Sequence, residues 1–100
     1  MATEPTWLSY SKAHRWEAQA KARGVSRVAR SRRGFMRVYE AAGRPSAMSP
    51  YWRRRRRNFI ARHVAQLRKR REPLYDKSGR PTRRHLALLM WAYTPDRSLR

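Results

Sequence analysis

Apolar residues recur along the chain at helical spacing, and no stretch alternates strictly enough to predict a strand. Thr6 stands where it can cap a helix from Trp7 to about Arg23 that stops at Gly24, with Trp7, Tyr10, His14, Ala18 and Lys21 on one weak stripe. Val25 to Ala42 reads as a short helix, a break at Ser31-Arg32-Arg33-Gly34, and a second helix whose Phe35, Val38, Tyr39 and Ala42 share a face before Gly43 ends it. The outline is helix, turn, helix. After a linker over residues 43–46, Ser49 as cap and Pro50 at the first helical position open the longest helix, which runs to about Arg71. At roughly 1.5 Å per residue it is on the order of 30 Å long. Its Trp52, Phe59, Ile60, His63, Val64 and Leu67 make one coherent apolar stripe. A loop rich in turn formers spans Glu72 to Pro81, and Thr82 then caps a last helix in which Leu86, Leu89, Met90 and Tyr93 line up before Pro95. The pattern predicts an all-α fold of four to five short helices around one long Arg-rich helix, with a small core and extended or flexible basic segments. Residues 1–45 form an N-terminal basic helical segment, and residues 46–100 hold the long helix, the turn and the C-terminal helix.

Charge changes this picture more than hydropathy does. The 100 residues include 26 Lys and Arg against 6 Asp and Glu, a formal net charge of +20, so self-repulsion opposes compaction unless a partner supplies negative charge. Yet 40% of the residues are apolar, with four Trp, five Tyr and two Phe, so a core is expected where a disordered tail would have none. A chain this short leaves much of its surface wet and is only marginally stable without staples. Cysteine is absent, which excludes disulfides, thiolate zinc sites and cysteine nucleophiles. The longest apolar stretch, Leu86 to Ala92, is too short to cross a bilayer, and Glu4 precedes any basic residue, unlike a signal peptide. These features place the chain in the cytosol or in a particle assembled there.

The principal candidate constellation is the run Arg53 to Arg57, extended by Arg62 and by Arg68, Lys69, Arg70 and Arg71. Successive helical residues turn by about 100°, so five in a row encircle the helix and cannot all face one ligand. Arg56 shares the stripe of Trp52, Phe59, Ile60 and His63, where it must snorkel, pair with a carboxylate such as Glu40, or reach a phosphate past the core edge. Guanidinium groups pointing outward can take phosphate oxygens bidentately, and Arg far outnumbers Lys here. A second group, Lys21, Arg23, Arg27, Arg30, Arg32, Arg33 and Arg37, surrounds Gly34, where helix-start amides could also meet a phosphate. A third is Lys77, Arg80, Arg83 and Arg84. The expected nucleic-acid contacts are therefore Arg27, Arg30, Arg32, Arg33, Arg53, Arg54, Arg55, Arg57, Arg62, Arg68, Lys69, Arg70, Arg71, Arg80, Arg83 and Arg84. The bland alternative is a set of solvated faces.

Trp7, Trp16, Tyr51, Trp52 and Tyr75 are candidate base-stacking platforms, although such residues more often belong to a core or its edge. His14, His63 and His85 show no metal-ligand spacing and no carboxylate neighbour, and are read as packing or phosphate-contact residues. No acid pair, Gly-rich phosphate loop or nucleophile beside a base supports an enzyme.

Three segments of the C-terminal half carry a resemblance: Arg56-x-x-Phe59-x-Ala61-Arg62, then Asp76-Lys77-x-Gly79-Arg80-Pro81-Thr82-Arg83, then Leu86-Ala87-Leu88-x-x-Trp91. Over about 36 residues this pattern resembles a group of small basic proteins of tailed bacteriophages whose function is not known. Members often carry cysteine near the Phe and after the Trp, where this chain has Ile60 and Tyr93, which removes any thiol-based role. The resemblance implies a phage or mobile-element setting and no particular activity. The residues themselves describe a capped basic turn fixing the last helix against the long one, with Phe59, Leu86, Leu89 and Trp91 as packing residues.

The resulting expectation is a small helical protein with no cofactor, metal or membrane partner, docking on DNA or RNA through phosphate contacts largely independent of sequence. Two alternatives share its charge: a structural subunit of a virion or ribosome, and a phage effector steered onto an acidic host protein.

Overall fold

Hydroxyl side chains start three of the helices by taking an amide that has no partner within the helix. The computed structural model describes residues 4–100. Ser9 caps α1 (Tyr10–His14), Ser49 caps α4 (Pro50–Arg70) and Thr82 caps α5 (Arg83–Leu89). Between them lie α2 (Glu17–Ala22) and α3 (Phe35–Ala42), with short 3₁₀ turns at Pro45–Ala47 and Arg97–Leu99. Among the described residues there is no strand, only an isolated bridge between Tyr75 and Pro81, so the fold is all-α as expected. Among the described residues no helix is long and apolar enough to cross a membrane.

The segments before and after residue 45 share one core. Phe35, Met36 and Tyr39 of α3 meet Leu86, Leu89, Met90 and Trp91 around α5, with Leu8, Ala13 and Ala20 beneath. Aromatic rings join the pieces: Phe35 stacks on Trp91 at 4.8 Å, and Phe59 stacks on Trp91 at 4.9 Å. The Tyr39 hydroxyl donates to the Leu8 carbonyl at 2.6 Å, and the Leu8 amide donates to Ala92 at 2.8 Å, tying the N-terminal stretch to the chain after α5.

Three expectations about helices need correction. The first helix is not continuous from Trp7 to Arg23; it breaks at Arg15 and Trp16, and its cap is Ser9 rather than Thr6. Its buried residues are Leu8, Ala13 and Ala20, not the stripe of Trp7, Tyr10, His14, Ala18 and Lys21. Residues 25–34 form turns instead of a helix, so the helix-turn-helix outline is wrong. The last helix ends at Leu89, and Ala92 takes a left-handed conformation (φ 57°) that carries the chain away before Tyr93.

Gly34, the N-cap of α3, has a different reason to be glycine from that of a left-handed turn. A Cβ there would stand 2.1 Å from the Val28 carbonyl oxygen and 2.7 Å from that of Ala29. The start of α3 is thus pressed against the 28–29 backbone, and the Met36 amide donates to Ala29 at 3.0 Å. A phosphate has no access to the helix-start amides that the sequence offered there, since Gly34, Phe35 and Met36 are all buried.

Candidate nucleic-acid interface

The acids decide which cations are free. Of the six, Glu4 receives Arg53 bidentately at 3.0 and 2.9 Å, and Glu72 receives Arg84 at 2.6 and 3.3 Å. Glu17 accepts from Arg37 at 2.6 Å, Glu40 stands 3.7 Å from the same guanidinium, and Asp76 lies 3.4 Å from Arg80. Asp96 accepts from the Tyr75 hydroxyl and from the Ser98 hydroxyl and amide. Donors hold four of these carboxyls low. The Arg53 hydrogen bond lowers Glu4, that of Arg84 lowers Glu72, the Arg80 amide lowers Asp76, and the Tyr75 hydroxyl lowers Asp96. Five of the six negative charges are therefore committed within the fold, and Glu40 is half-exposed with only the 3.7 Å approach of Arg37.

Arg56 does none of the three things its sequence position offered. It is fully buried, yet it donates to four backbone carbonyls: Nε to Trp91 at 2.7 Å, Nη1 to Pro5 at 2.9 Å, and Nη2 to Thr6 at 2.7 Å and Ala92 at 3.0 Å. Its guanidinium carbon lies 3.8 Å from the centroid of the Trp7 ring, a close cation-π contact. Burial pushes its pKa down to about 10, opposed by the nearby Glu4 charge, so the group stays protonated at neutral pH. It neither snorkels nor pairs with Glu40, and no phosphate can reach it.

Around Arg56 the helical register sorts the remaining cations of α4. Ile60 and Arg56 mark the inward side, and Trp52, Phe59, His63 and Leu67 flank it, at least half-buried. On the far side, Arg54, Arg57, Arg62, Arg68 and Lys69 are all exposed, interleaved with exposed Asn58, Ala61 and Ala65. Arg57 and Arg68 fall on one flank of that outer face, and Arg62 and Lys69 on the other, at about 100° per residue. Arg70 and Arg71 continue the positive surface at the helix end, where they also face the partial negative charge of the helix dipole. None of these seven side chains forms an ion pair or hydrogen bond with the described residues, and the same holds for Arg27, Arg32 and Arg33.

The other expected contacts are partly occupied. Arg30 donates to the Val25 carbonyl at 2.7 Å, and Arg83 donates to the Arg23 carbonyl while Arg23 donates to Pro81 at 2.8 Å, stapling the end of α2 to the start of α5. Arg84 also donates to His63 Nδ1 at 2.8 Å, which fixes that nitrogen as the acceptor and the ring as neutral. Arg55 lies over the Trp52 ring at 5.0 Å and within 3.3 Å of the Tyr51 hydroxyl. The basic turn at Asp76 to Thr82 is built as expected: Asp76 accepts from the Ser78 and Arg80 amides at 2.8 and 3.0 Å, Gly79 turns left-handed, and Thr82 caps α5.

Of the candidate stacking platforms, Trp7 is covered by Arg56, Trp52 is packed on the core and Tyr75 is bound to Asp96. Trp16 is half-buried, and only Tyr51, 56% exposed, presents most of its ring. His14 does have a carboxylate neighbour, Glu17 at 2.9 Å, a spacing of three residues that the sequence contained. His85 is buried, its Nδ1 donating to the Leu74 carbonyl at 3.0 Å and its Nε2 accepting from Thr94 at 2.7 Å. Burial lowers the pKa of both His63 and His85, and for His63 the charges of Arg84 and Arg62 add to the effect. Among the described residues no group of three or more His, Cys, Asp or Glu could hold a metal ion. Comparison of the chain with protein-family models, curated proteins and solved structures finds no match.

Proposed function

We propose that this protein binds nucleic acid through the phosphate backbone, largely without regard to sequence, and that it does so in the phage or mobile-element setting implied by the resemblance of its C-terminal half. The contacts come from the outer face of α4 and from the Arg27–Arg33 segment. One observation carries the reading: five of the six carboxylates accept hydrogen bonds within the fold, while the exposed Arg54, Arg57, Arg62, Arg68 and Arg70 of α4 have no ion-pair or hydrogen-bond partner among the described residues. A polyphosphate is the ligand class that matches a long row of planar, bidentate donors. Such binding releases counterions, so affinity depends steeply on salt.

The experiment is a fluorescence-anisotropy titration of a labelled oligonucleotide at several salt concentrations. With about six to ten phosphates engaged, affinity falls by roughly 10³ to 10⁵ between 50 and 200 mM salt. A flat salt dependence would sink the proposal.

A further inference from the structure

The segment from Gly24 to Arg30 does not close against the seam between α4 and α5. Two adjoining hollows of about 490 and 430 Å³ remain, and both are lined by Ser26 and Phe59. The first lies between Arg27 and Val28 on one wall and Arg55 on the other, with Trp91 at its base. The second continues past His63 and Ala87 to Arg83 and Arg84. Their shared floor is aromatic and already stacked, with Phe59 4.9 Å from Trp91 and 4.0 Å from His63, each pair within 23° of parallel. Val28 stands at the mouth 66% exposed, a large apolar side chain that contributes nothing to the core. The rim is cationic, and Glu72, an acid on the wall, is already taken by Arg84.

We propose that this cleft receives an unstacked base of a single-stranded nucleic acid. An apolar floor alone would suit many ligands, but a cationic rim without a free acid selects an aromatic group carried on an anionic tether, which is a nucleotide within a strand. Arg55 is placed to stack on it: its guanidinium rests over Trp52 at 5.0 Å, Tyr51 at 5.7 Å and Trp91 at 5.9 Å, so its plane is held at the cleft edge. Arg62 and Lys69 follow Arg55 at intervals of seven residues, about 10.5 Å along the helix, and all three are exposed on the same flank of α4. A strand whose base enters the cleft runs its phosphates along that row. The inference rests on the nucleic-acid reading and adds the form of the strand. Bases in a duplex are paired and stacked, so a duplex meets only the phosphate contacts.

The test uses the full-length protein and three labelled probes carrying equal numbers of phosphates: an oligothymidine strand, an abasic strand of the same length, and a duplex. Oligothymidine is expected to bind roughly tenfold tighter than either of the others, the scale of one good base stack. Arg55→Lys keeps the charge and removes the plane, so it should abolish the tenfold preference for oligothymidine over the abasic strand. Equal affinity for oligothymidine and abasic strands would overturn the cleft while leaving phosphate binding intact, whereas failure of all three probes would overturn both. Tighter capture of anionic lipid vesicles or of an acidic, aromatic-rich peptide than of oligothymidine would also overturn it.

Discussion

Arg56 and its neighbours separate two uses of one side chain within a single run. Arg54 and Arg57 project into solvent, whereas Arg56 holds the carbonyls of Pro5, Thr6, Trp91 and Ala92. Replacing it by methionine, of similar length, leaves the carbonyls of Pro5, Thr6 and Trp91 without a donor inside the protein, while Ala92 keeps only the Leu8 amide. Arg56→Met is expected to cost about 3 kcal/mol or more, against less than about 0.5 kcal/mol for Arg54→Gln or Arg57→Gln. Urea unfolding is the appropriate measurement, because guanidinium chloride would screen the charges under study. Equal stability of the three variants would contradict the role assigned to Arg56. The two shielded histidines give a second expectation. Both have pKa values lowered by burial, so the unfolded chain binds protons that the folded chain resists. Their contribution is fully present above the ordinary histidine value of about 6.5 and is lost as pH falls below it toward the folded values. Stability measured at pH 5.5 should be lower than at pH 7.5, still above the range in which the carboxylates titrate. His63→Gln, which keeps an acceptor for Arg84, should remove part of that loss; a pH-independent wild-type stability would refute the assignment.

The elements differ in how far local sequence determines them. The long helix was legible because Ser49 and Pro50 start it and its inward stripe is unambiguous, and α5 was legible at its start because Thr82 caps it. Ends and breaks depart from the apolar pattern where backbone or side-chain groups take partners outside the helical ladder. Residues 25–34 leave the helix because the Val25 carbonyl goes to Arg30, the Val28 carbonyl to Ser31 and the Ala29 carbonyl to the Met36 amide. At the break between α1 and α2, Arg37 bonds both the Tyr10 hydroxyl at 3.0 Å and Glu17 at 2.6 Å. The chain after α5 turns away where Arg56 captures Trp91 and Ala92. The candidate site shows the same division. Its clusters are visible as runs of Arg, but which members are free depends on pairings such as Glu4 with Arg53, 49 residues apart, which no local pattern announces. Under the proposed function, the outer face of α4 is the element that binds. Arg54→Gln/Arg57→Gln/Arg62→Gln should lower the salt slope of nucleic-acid binding by roughly 0.9 for each phosphate that is no longer neutralised, on the duplex value, while leaving the fold intact. Circular dichroism checks the second half of that statement, and an unchanged slope would remove α4 from the interface.

At the scale of the whole molecule, +20 charges share a body with a radius of gyration of 12.9 Å. The Debye length is about 30 Å at 0.01 M salt and about 8 Å at 0.15 M. At the lower concentration it is comparable to the extents of the protein, 37 × 34 × 23 Å, so most pairs of cations repel; at the higher, only neighbours do. The unfolded chain carries the same charge over a larger volume and gains less from screening. Salt should therefore raise the melting temperature of the free protein while weakening its hold on nucleic acid, the same arginines driving both trends. A relief of about 1 kcal/mol corresponds to roughly 4–8 °C in a domain of 60–100 residues. Nucleic acid at 100 times its dissociation constant should stabilise the fold by about 2.7 kcal/mol at low salt, an effect that shrinks as salt rises and affinity falls. Thermal unfolding followed across a salt series, with and without oligonucleotide, should give two curves that converge at high salt. Parallel curves would mean that the bound polyanion and the mobile ions are not competing for the same charges, and the electrostatic basis of the proposed function would fail.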